Sequence, residues 1–188
     1  MFELLLEWDN IFTLLLKNIF PANQFFNTLF SFFSLRGNSI LIWLMIAGLT
    51  VYLEERRHPG ISSRDKRFTF YFFAGFLLTS IFTMFLLKNV FHRPRPYVEF
   101  NLSNVSRTCP ADFSFPSAHA ATAFAAASVL TYFDRKRRLL YYLIAILISY
   151  SRIYLGCHFL LDVVGGAVVG TLISAILINL DRRYGDLK

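Results

Sequence analysis

Residues 68–87 read FTFYFFAGFLLTSIFTMFLL, a run of twenty without one charged side chain. A hydrocarbon core about 30 Å thick is crossed by an α-helix of ~20 mostly apolar residues, so this run predicts a transmembrane helix. The composition agrees, because 55% of the 188 residues are hydrophobic and only 16% are charged, against about 25% charged residues in soluble domains. The composition therefore argues against a soluble globule or a disordered chain and predicts an integral membrane protein.

Four further apolar runs predict helices that cross the same bilayer, at residues 40–53, 118–133, 139–151 and 159–180. In the last run, Gly166 and Gly170 form a small-xxx-small pair, which lets helix backbones approach closely in lipid. The predicted fold class is therefore all-α, a bundle of five transmembrane helices.

The first 35 residues follow a different pattern. Polar side chains recur at helical spacing among apolar ones in residues 2–20, which is typical of an amphipathic helix lying in the membrane interface. Pro21 ends this segment, and residues 25–35 predict a second short interfacial helix. A sixth transmembrane span here is the alternative. We expect three regions: interfacial helices at 1–36, a transmembrane domain at 37–181 and a cytoplasmic tail at 182–188.

The basic side chains indicate the orientation of the bundle. Twelve of the nineteen Lys and Arg fall in three clusters: Arg56, Arg57, Arg64, Lys66 and Arg67; Arg135, Lys136, Arg137 and Arg138; and Arg182, Arg183 and Lys188. Five spans place all three clusters on one face, which the positive-inside rule makes cytoplasmic. Topology thus explains most of the net charge of +7, and we expect no nucleic-acid partner.

Three short motifs lie at span ends on the opposite face. They read Lys88-x6-Arg95-Pro96, Pro116-Ser117-Ala118-His119 and Ser151-Arg152-x5-His158-x3-Asp162. Ionisable groups at membrane depth are costly and usually mark functional sites. His158 and Asp162 are four residues apart, so on a helix the carboxylate can fix the tautomer of the imidazole. Cations, helix N-termini and imidazoles together suit phosphoryl transfer, because its negative charge requires electrostatic stabilisation.

These motifs closely resemble the three signatures of the type-2 phosphatidic acid phosphatase superfamily of membrane lipid phosphatases, Lys-x6-Arg-Pro, Pro-Ser-Gly-His and Ser-Arg-x5-His-x3-Asp. All spacings within the motifs match, and the resemblance covers residues 68–180. Ala118 departs from the family pattern, which has glycine there. Its backbone N–H remains available to an anion, but alanine would be strained if this position required a positive φ.

The resemblance implies a role for each matching residue. His158 would be the nucleophile that forms a phosphohistidine, Asp162 would orient it, and His119 would act as general acid and then base. Five residues would bind the phosphoryl oxygens: Lys88, Arg95, Ser117, Ala118 (through its N–H) and Arg152. Arg93 and Arg107 are candidates for additional headgroup contacts. The resemblance implies no cofactor and no metal.

The resemblance further implies hydrolysis of the phosphate or diphosphate of a membrane lipid at the outer face of the bacterial inner membrane, with the site facing the periplasm. Candidate substrates are undecaprenyl diphosphate, phosphatidylglycerol phosphate, phosphatidic acid and lipid A phosphate, among which the sequence does not choose. The expected partners are a phospholipid, polyprenyl or saccharolipid phosphate substrate and the bilayer itself. We infer no obligate protein partner.

Three other functions compete with this interpretation. A metal hydrolase would use histidines, Asp162 and the cysteines as ligands, but the close spacings of metal motifs are absent from the sequence. A vanadate-dependent haloperoxidase has a similar site in a soluble helical protein. A non-enzymatic anion-binding transporter or channel would carry polar residues across several spans.

Cys109 and Cys157 both fall on the outer face, where they could form a disulfide or pack as free thiols.

Overall fold

The computed structural model describes residues 2–34, 36–56, 60, 62–100 and 109–184, and all regular structure in these ranges is helical. The α-helices are α1 (Phe2–Lys17), α2 (Gln24–Ser34), α3 (Arg36–Glu55), α4 (Ser63–Ile81), α5 (Lys88–Phe91), α6 (Pro96–Glu99), α7 (Ala118–Phe133), α8 (Arg138–Tyr154) and α9 (Leu160–Tyr184). A π-helical turn, Phe82–Leu87, joins α4 to α5, and a 3-10 turn, Arg135–Arg137, precedes α8. The predicted all-α class is confirmed.

Within the described ranges, three helical segments are long and apolar enough to cross a membrane: Asn38–Glu55, Ser63–Glu99 and Leu160–Arg183. They contain the predicted spans at 40–53 and 68–87, and all of the predicted span at 159–180 except Phe159. The predicted spans at 118–133 and 139–151 correspond to the shorter apolar helix α7 and to α8. The architecture is thus that of a helical membrane protein, while the number of spans and the three-region division stay predictions.

Helix α7 lies at the centre of the bundle, packed against α4, α8 and α9. Its contact with α9 is unusually close because α9 presents glycine. A Cβ added at Gly170 would lie 2.0 Å from the carbonyl oxygen of Ala121, and one at Gly166 would lie 2.4 Å from that of Ser117. The same contact brings the first residues of the two helices together, since the Ser117 N–H donates to the carbonyl oxygen of Asp162 at 2.9 Å.

The N-terminal helices α1 and α2 match the two predicted short helices, with ends at Lys17 and Ser34 rather than at residues 20 and 35. Both pack against α8, and the hydroxyl of Tyr150 donates to the carbonyl oxygen of Leu16 at 2.8 Å. The outer surface of α1 carries exposed apolar side chains, Leu5 and Trp8 among them. This surface suits contact with lipid.

We predict that Gly170→Ala destabilises the bundle by about 2 kcal/mol, because its methyl group would force α7 and α9 apart. Thermal unfolding in detergent measures the effect. Gly48→Ala in α3 is the matched control, since nothing lies within 4 Å of a Cβ added there. Equal melting temperatures for the two variants would contradict the close α7–α9 contact.

Candidate active site

The first motif places two buried cations beside the loop that precedes α7. Lys88 begins α5 directly after the π-helical turn, and its Nζ donates to the carbonyl oxygen of Phe113 at 2.8 Å. The chain then reverses at His92, whose φ of 47° lies in the left-handed region. Arg95 follows Pro94, which cannot continue a helix, and its Nη1 donates to the carbonyl oxygen of Cys157 at 2.8 Å.

The third motif places an imidazole in a buried turn between α8 and α9. Gly156, at a φ of 69°, allows this turn. The Nε2 atom of His158 lies 3.1 Å from Nη1 of Arg95, and its Nδ1 lies 3.4 Å from Oδ2 of Asp162. Because a guanidinium can only donate, Nε2 is the acceptor and the ring proton lies on Nδ1. Nδ1 also lies 3.4 Å from the hydroxyl oxygen of Ser114. Nε2, which carries the lone pair, therefore faces Arg95.

The surroundings of His158 also keep it neutral. Burial, followed by repulsion from the charges of Arg95 and Arg152, lowers the pKa of His158 well below its usual value of 6.5. A neutral imidazole retains the Nε2 lone pair that nucleophilic attack requires.

Hydrogen bonds from three directions fix the carboxylate of Asp162. Its Oδ2 accepts the N–H of Phe159 at 2.8 Å and the hydroxyl of Ser114. Its Oδ1 accepts Nη1 of Arg93 at 2.9 Å. Asp162 is completely buried, so these donors supply the stabilisation that water gives elsewhere.

The second motif opens α7 and faces the first motif across a cavity of about 190 Å³. His119 and Ala118 line this cavity together with Lys88, Arg95 and His158. Its polar end continues into an apolar wall, formed by Ile40, Phe76 and Met84. The side chain of Ser117 accepts the N–H of Ala120, which makes Ser117 the N-cap of α7.

Alanine fits where the family pattern has glycine. Ala118 is the first residue of α7, and His92 is the only non-glycine residue with positive φ in the part of the chain that the structure describes. The strain considered for Ala118 on sequence grounds therefore does not arise.

Two of the predicted phosphate or headgroup ligands have other contacts. Arg152 is buried in α8, and its Nη1 donates to the carbonyl and side-chain oxygens of Ser34 at the end of α2. Arg93 stacks on the ring of Phe159, with Cζ 3.9 Å from the ring centroid, and bridges Asp162 to Asp9. Arg107 lies outside the described residues.

Sequence reasoning missed two carboxylates. Asp9, on α1, accepts Nη2 of Arg93 at 2.6 Å and the N–H of Leu161 at 2.9 Å, while Thr13 one turn later accepts the N–H of Leu160. The available signal was the spacing of Asp9 and Thr13, which lie four residues apart and therefore on one face of the helix. Asp112 accepts from both cations of the first motif, and only its place just before the second motif could have indicated it.

A disulfide joins Cys109 to Cys157, with a Cα–Cα distance of 5.3 Å. It ties the loop before α7 to the residue beside His158 and resolves the alternative left open by the sequence. Both cysteines are thus withdrawn from metal binding. Among the residues that the structure describes, no three His, Cys, Asp or Glu side chains are grouped to hold a metal ion.

Comparison with known proteins agrees with the motifs. A sequence model of the PAP2 superfamily matches residues 68–185, more than half of the chain. An undecaprenyl-diphosphatase of Sulfolobus acidocaldarius is 28% identical over 163 residues, which cover 86% of this chain and 73% of that protein.

Two solved structures share the architecture. The crystal structure of Aquifex aeolicus LpxE is similar with a TM-score of 0.64 at 27% identity, covering 89% of this chain and 93% of that one. A PAP2-type phosphatidylglycerolphosphate phosphatase from Bacillus subtilis has a TM-score of 0.60 at 19% identity, covering 98% and 89%. The second likeness concerns the fold alone.

We predict that Asp9→Ala loosens α1, because it removes the buried carboxylate that pairs with the partly exposed Arg93 and uncaps the first turn of α9. Breaking a buried ion pair costs about 3 kcal/mol. Hydrogen–deuterium exchange should therefore rise in α1 and at residues 160–162. Glu7→Ala, at an exposed position on α1, is the control, and the same exchange in both variants would refute the prediction.

Proposed function

The chain belongs to the PAP2 superfamily and is a lipid phosphatase, and from this premise we propose that it hydrolyses a lipid phosphate or diphosphate through a phosphohistidine on His158. The observation that carries the proposal is the position of the His158 imidazole, whose Nδ1 lies 3.4 Å from Asp162 at the wall of a cavity shared with Lys88, Arg95 and His119. We place the reaction at the outer face of the bacterial inner membrane, since the basic clusters mark the opposite end of the bundle as cytoplasmic.

In the first step, Nε2 of His158 attacks phosphorus as the bond from phosphorus to the leaving oxygen breaks. His119, in its protonated form, donates a proton to that oxygen. Lys88 and Arg95 stabilise the charge on the phosphoryl oxygens. As the lone pair forms the P–N bond, the Nη1–H of Arg95 that now donates to Nε2 donates to a phosphoryl oxygen instead, while the hydrogen bonds of Arg95 to backbone carbonyl oxygens stay in place.

In the second step, water attacks the phosphohistidine. His119 accepts its proton, the P–N bond breaks, and the electron pair returns to Nε2, which restores the starting state. Asp162 remains ionised throughout and stabilises the positive charge that the imidazole carries in the intermediate. Ser117, the Ala118 N–H and Arg152 complete our proposed set of phosphoryl ligands. Because this set supplies positive charge, the proposed reaction uses no metal.

The apolar wall of the cavity supports a lipid as substrate. Ile40 on α3 and Phe76 and Met84 on the α4 side lie between the charged end and the membrane-facing surface of the bundle. A phosphate group can therefore reach the cations while its lipid tail stays in contact with apolar side chains. The candidates are undecaprenyl diphosphate, phosphatidylglycerol phosphate, phosphatidic acid and lipid A phosphate.

A phosphate-release assay on these four lipids tests the proposal, with purified protein in detergent and EDTA present throughout. We expect turnover of at least one lipid by the wild type, none by His158→Ala, and a loss of at least about 100-fold in His119→Ala, the magnitude of general acid–base catalysis. His92→Asn is the control, because asparagine tolerates the left-handed conformation at this position. Activity retained by His158→Ala, or wild-type activity that appears only when EDTA is left out, would refute the mechanism.

The lowered pKa of His158 predicts the acid limb of the pH profile. Attack requires the neutral ring, so kcat/KM should hold from pH 7 down through 6.5 and fall only as the pH passes the lowered pKa. A basic limb should report the protonated form of His119. The acid limb of kcat/KM should lie at the same pH for a monoester and for a diphosphate, because it reports His158 and not the substrate. An acid limb at or above pH 6.5 for both substrates would contradict the prediction.

A further inference from the structure

The two cations of the first motif already share an anion. Nζ of Lys88 lies 2.7 Å from Oδ2 of Asp112, and Nη2 of Arg95 lies 2.5 Å from Oδ1. The two carboxylate oxygens thus bridge the cations as two oxygens of a phosphoryl group would. The cation side chains are 4% and 2% exposed, whereas that of Asp112 is 33% exposed. The carboxylate therefore stands on the open side of the pair, in the same cavity as His158.

We propose that Asp112 is an internal competitor for the phosphoryl site, whose carboxylate neutralises Lys88 and Arg95 in the resting enzyme and must leave them for the phosphoryl group to bind. The inference rests on the proposed function, because it takes these cations as the phosphoryl ligands. Because any incoming anion must displace this carboxylate, Asp112 weakens the binding of the phosphoryl substrate and of free phosphate alike.

The cations are anchored independently of this carboxylate. Nζ of Lys88 donates to the carbonyl oxygen of Phe113, and Arg95 donates through Nε to the carbonyl oxygen of Asp112 itself and through Nη1 to that of Cys157. These contacts involve only backbone carbonyl oxygens, those of Asp112 and Phe113 in the loop before α7 and that of Cys157 in the turn of His158. The Cys109–Cys157 disulfide ties the loop to this turn. The Asp112 side chain can therefore rotate away while both cations stay in position.

Charge explains why such a competitor is useful. Two buried cations without an anion would be costly, because desolvated charge is stable only when it is paired. Burial alone would raise the pKa of Asp112, but the hydrogen bond from Lys88 and the charges of Lys88 and Arg95 outweigh it and lower that pKa to about 2. The carboxylate is therefore ionised at every physiological pH. When the phosphoryl product forms, the same carboxylate competes with it for the cations and favours its release.

A purely structural role for Asp112 predicts the opposite effect of its removal. If the carboxylate served only to hold Lys88 and Arg95 in place, its loss would misplace them and weaken phosphate binding. If it competes, its loss strengthens phosphate binding. The sign of the change therefore distinguishes the two roles.

The test is the inhibition constant of orthophosphate for lipid hydrolysis, measured by the release of the dephosphorylated lipid rather than of phosphate. We expect Asp112→Asn to lower this constant about tenfold, equivalent to about 1.4 kcal/mol, and to lower KM in the same direction. Glu99→Gln is the matched control. It removes one exposed negative charge on α6, outside the cavity, and should leave the constant unchanged. An unchanged or higher constant in Asp112→Asn would overturn the proposal.

A second measurement uses the wild type alone. In a structure with orthovanadate bound, the Asp112 carboxylate should have left at least one of the two cations, whose contacts with the loop carbonyl oxygens remain. Both carboxylate contacts intact beside the bound anion would overturn the proposal, whatever the variant does. A wild type that binds orthophosphate but turns over no lipid would instead refute the proposed function and leave this test in force.

Discussion

The close contact between α7 and α9 determines how the second and third motifs lie relative to each other. Glycines at 166 and 170 bring the α9 backbone against the carbonyl oxygens of Ser117 and Ala121, and the Ser117 N–H donates to the Asp162 carbonyl oxygen. Helix α7, which carries His119 in its first turn, is thereby held against helix α9, which carries Asp162. With larger residues in α9, the second and third motifs would lie too far apart to enclose one phosphoryl group.

Charge balance is the second constraint on this end of the bundle. Carboxylates from three separate segments accompany the cations: Asp9 and Asp162 flank the partly exposed Arg93, and Asp112 bridges the buried Lys88 and Arg95. Asp9 comes from α1, outside residues 68–185 that match the PAP2 superfamily. Helix α1 therefore does more than cover apolar surface, because it completes the network that fixes Asp162.

Local sequence was enough to predict the helices and the three motifs, since an uncharged run or a fixed spacing needs no knowledge of distant residues. It could not predict the partners of Arg93, because Asp9 lies 84 positions away, nor decide whether Cys109 and Cys157 pair, which depends on a 5.3 Å approach across 48 positions. Asp112 was not predicted, because a single carboxylate in a loop can be recognised as part of the site only once the cations that contact it are known.

The site of phosphorylation during turnover tests the central claim most directly. The His119→Ala variant keeps the proposed nucleophile but lacks the group that activates water, so an aryl phosphate, whose leaving group needs no proton, should trap the intermediate. After an alkaline quench, peptide mass spectrometry and ³¹P NMR locate the phosphoryl group. We predict phosphorylation on Nε2 of His158. A phosphoryl group on Nδ1 or on another residue, or no phosphoenzyme at all, would contradict it.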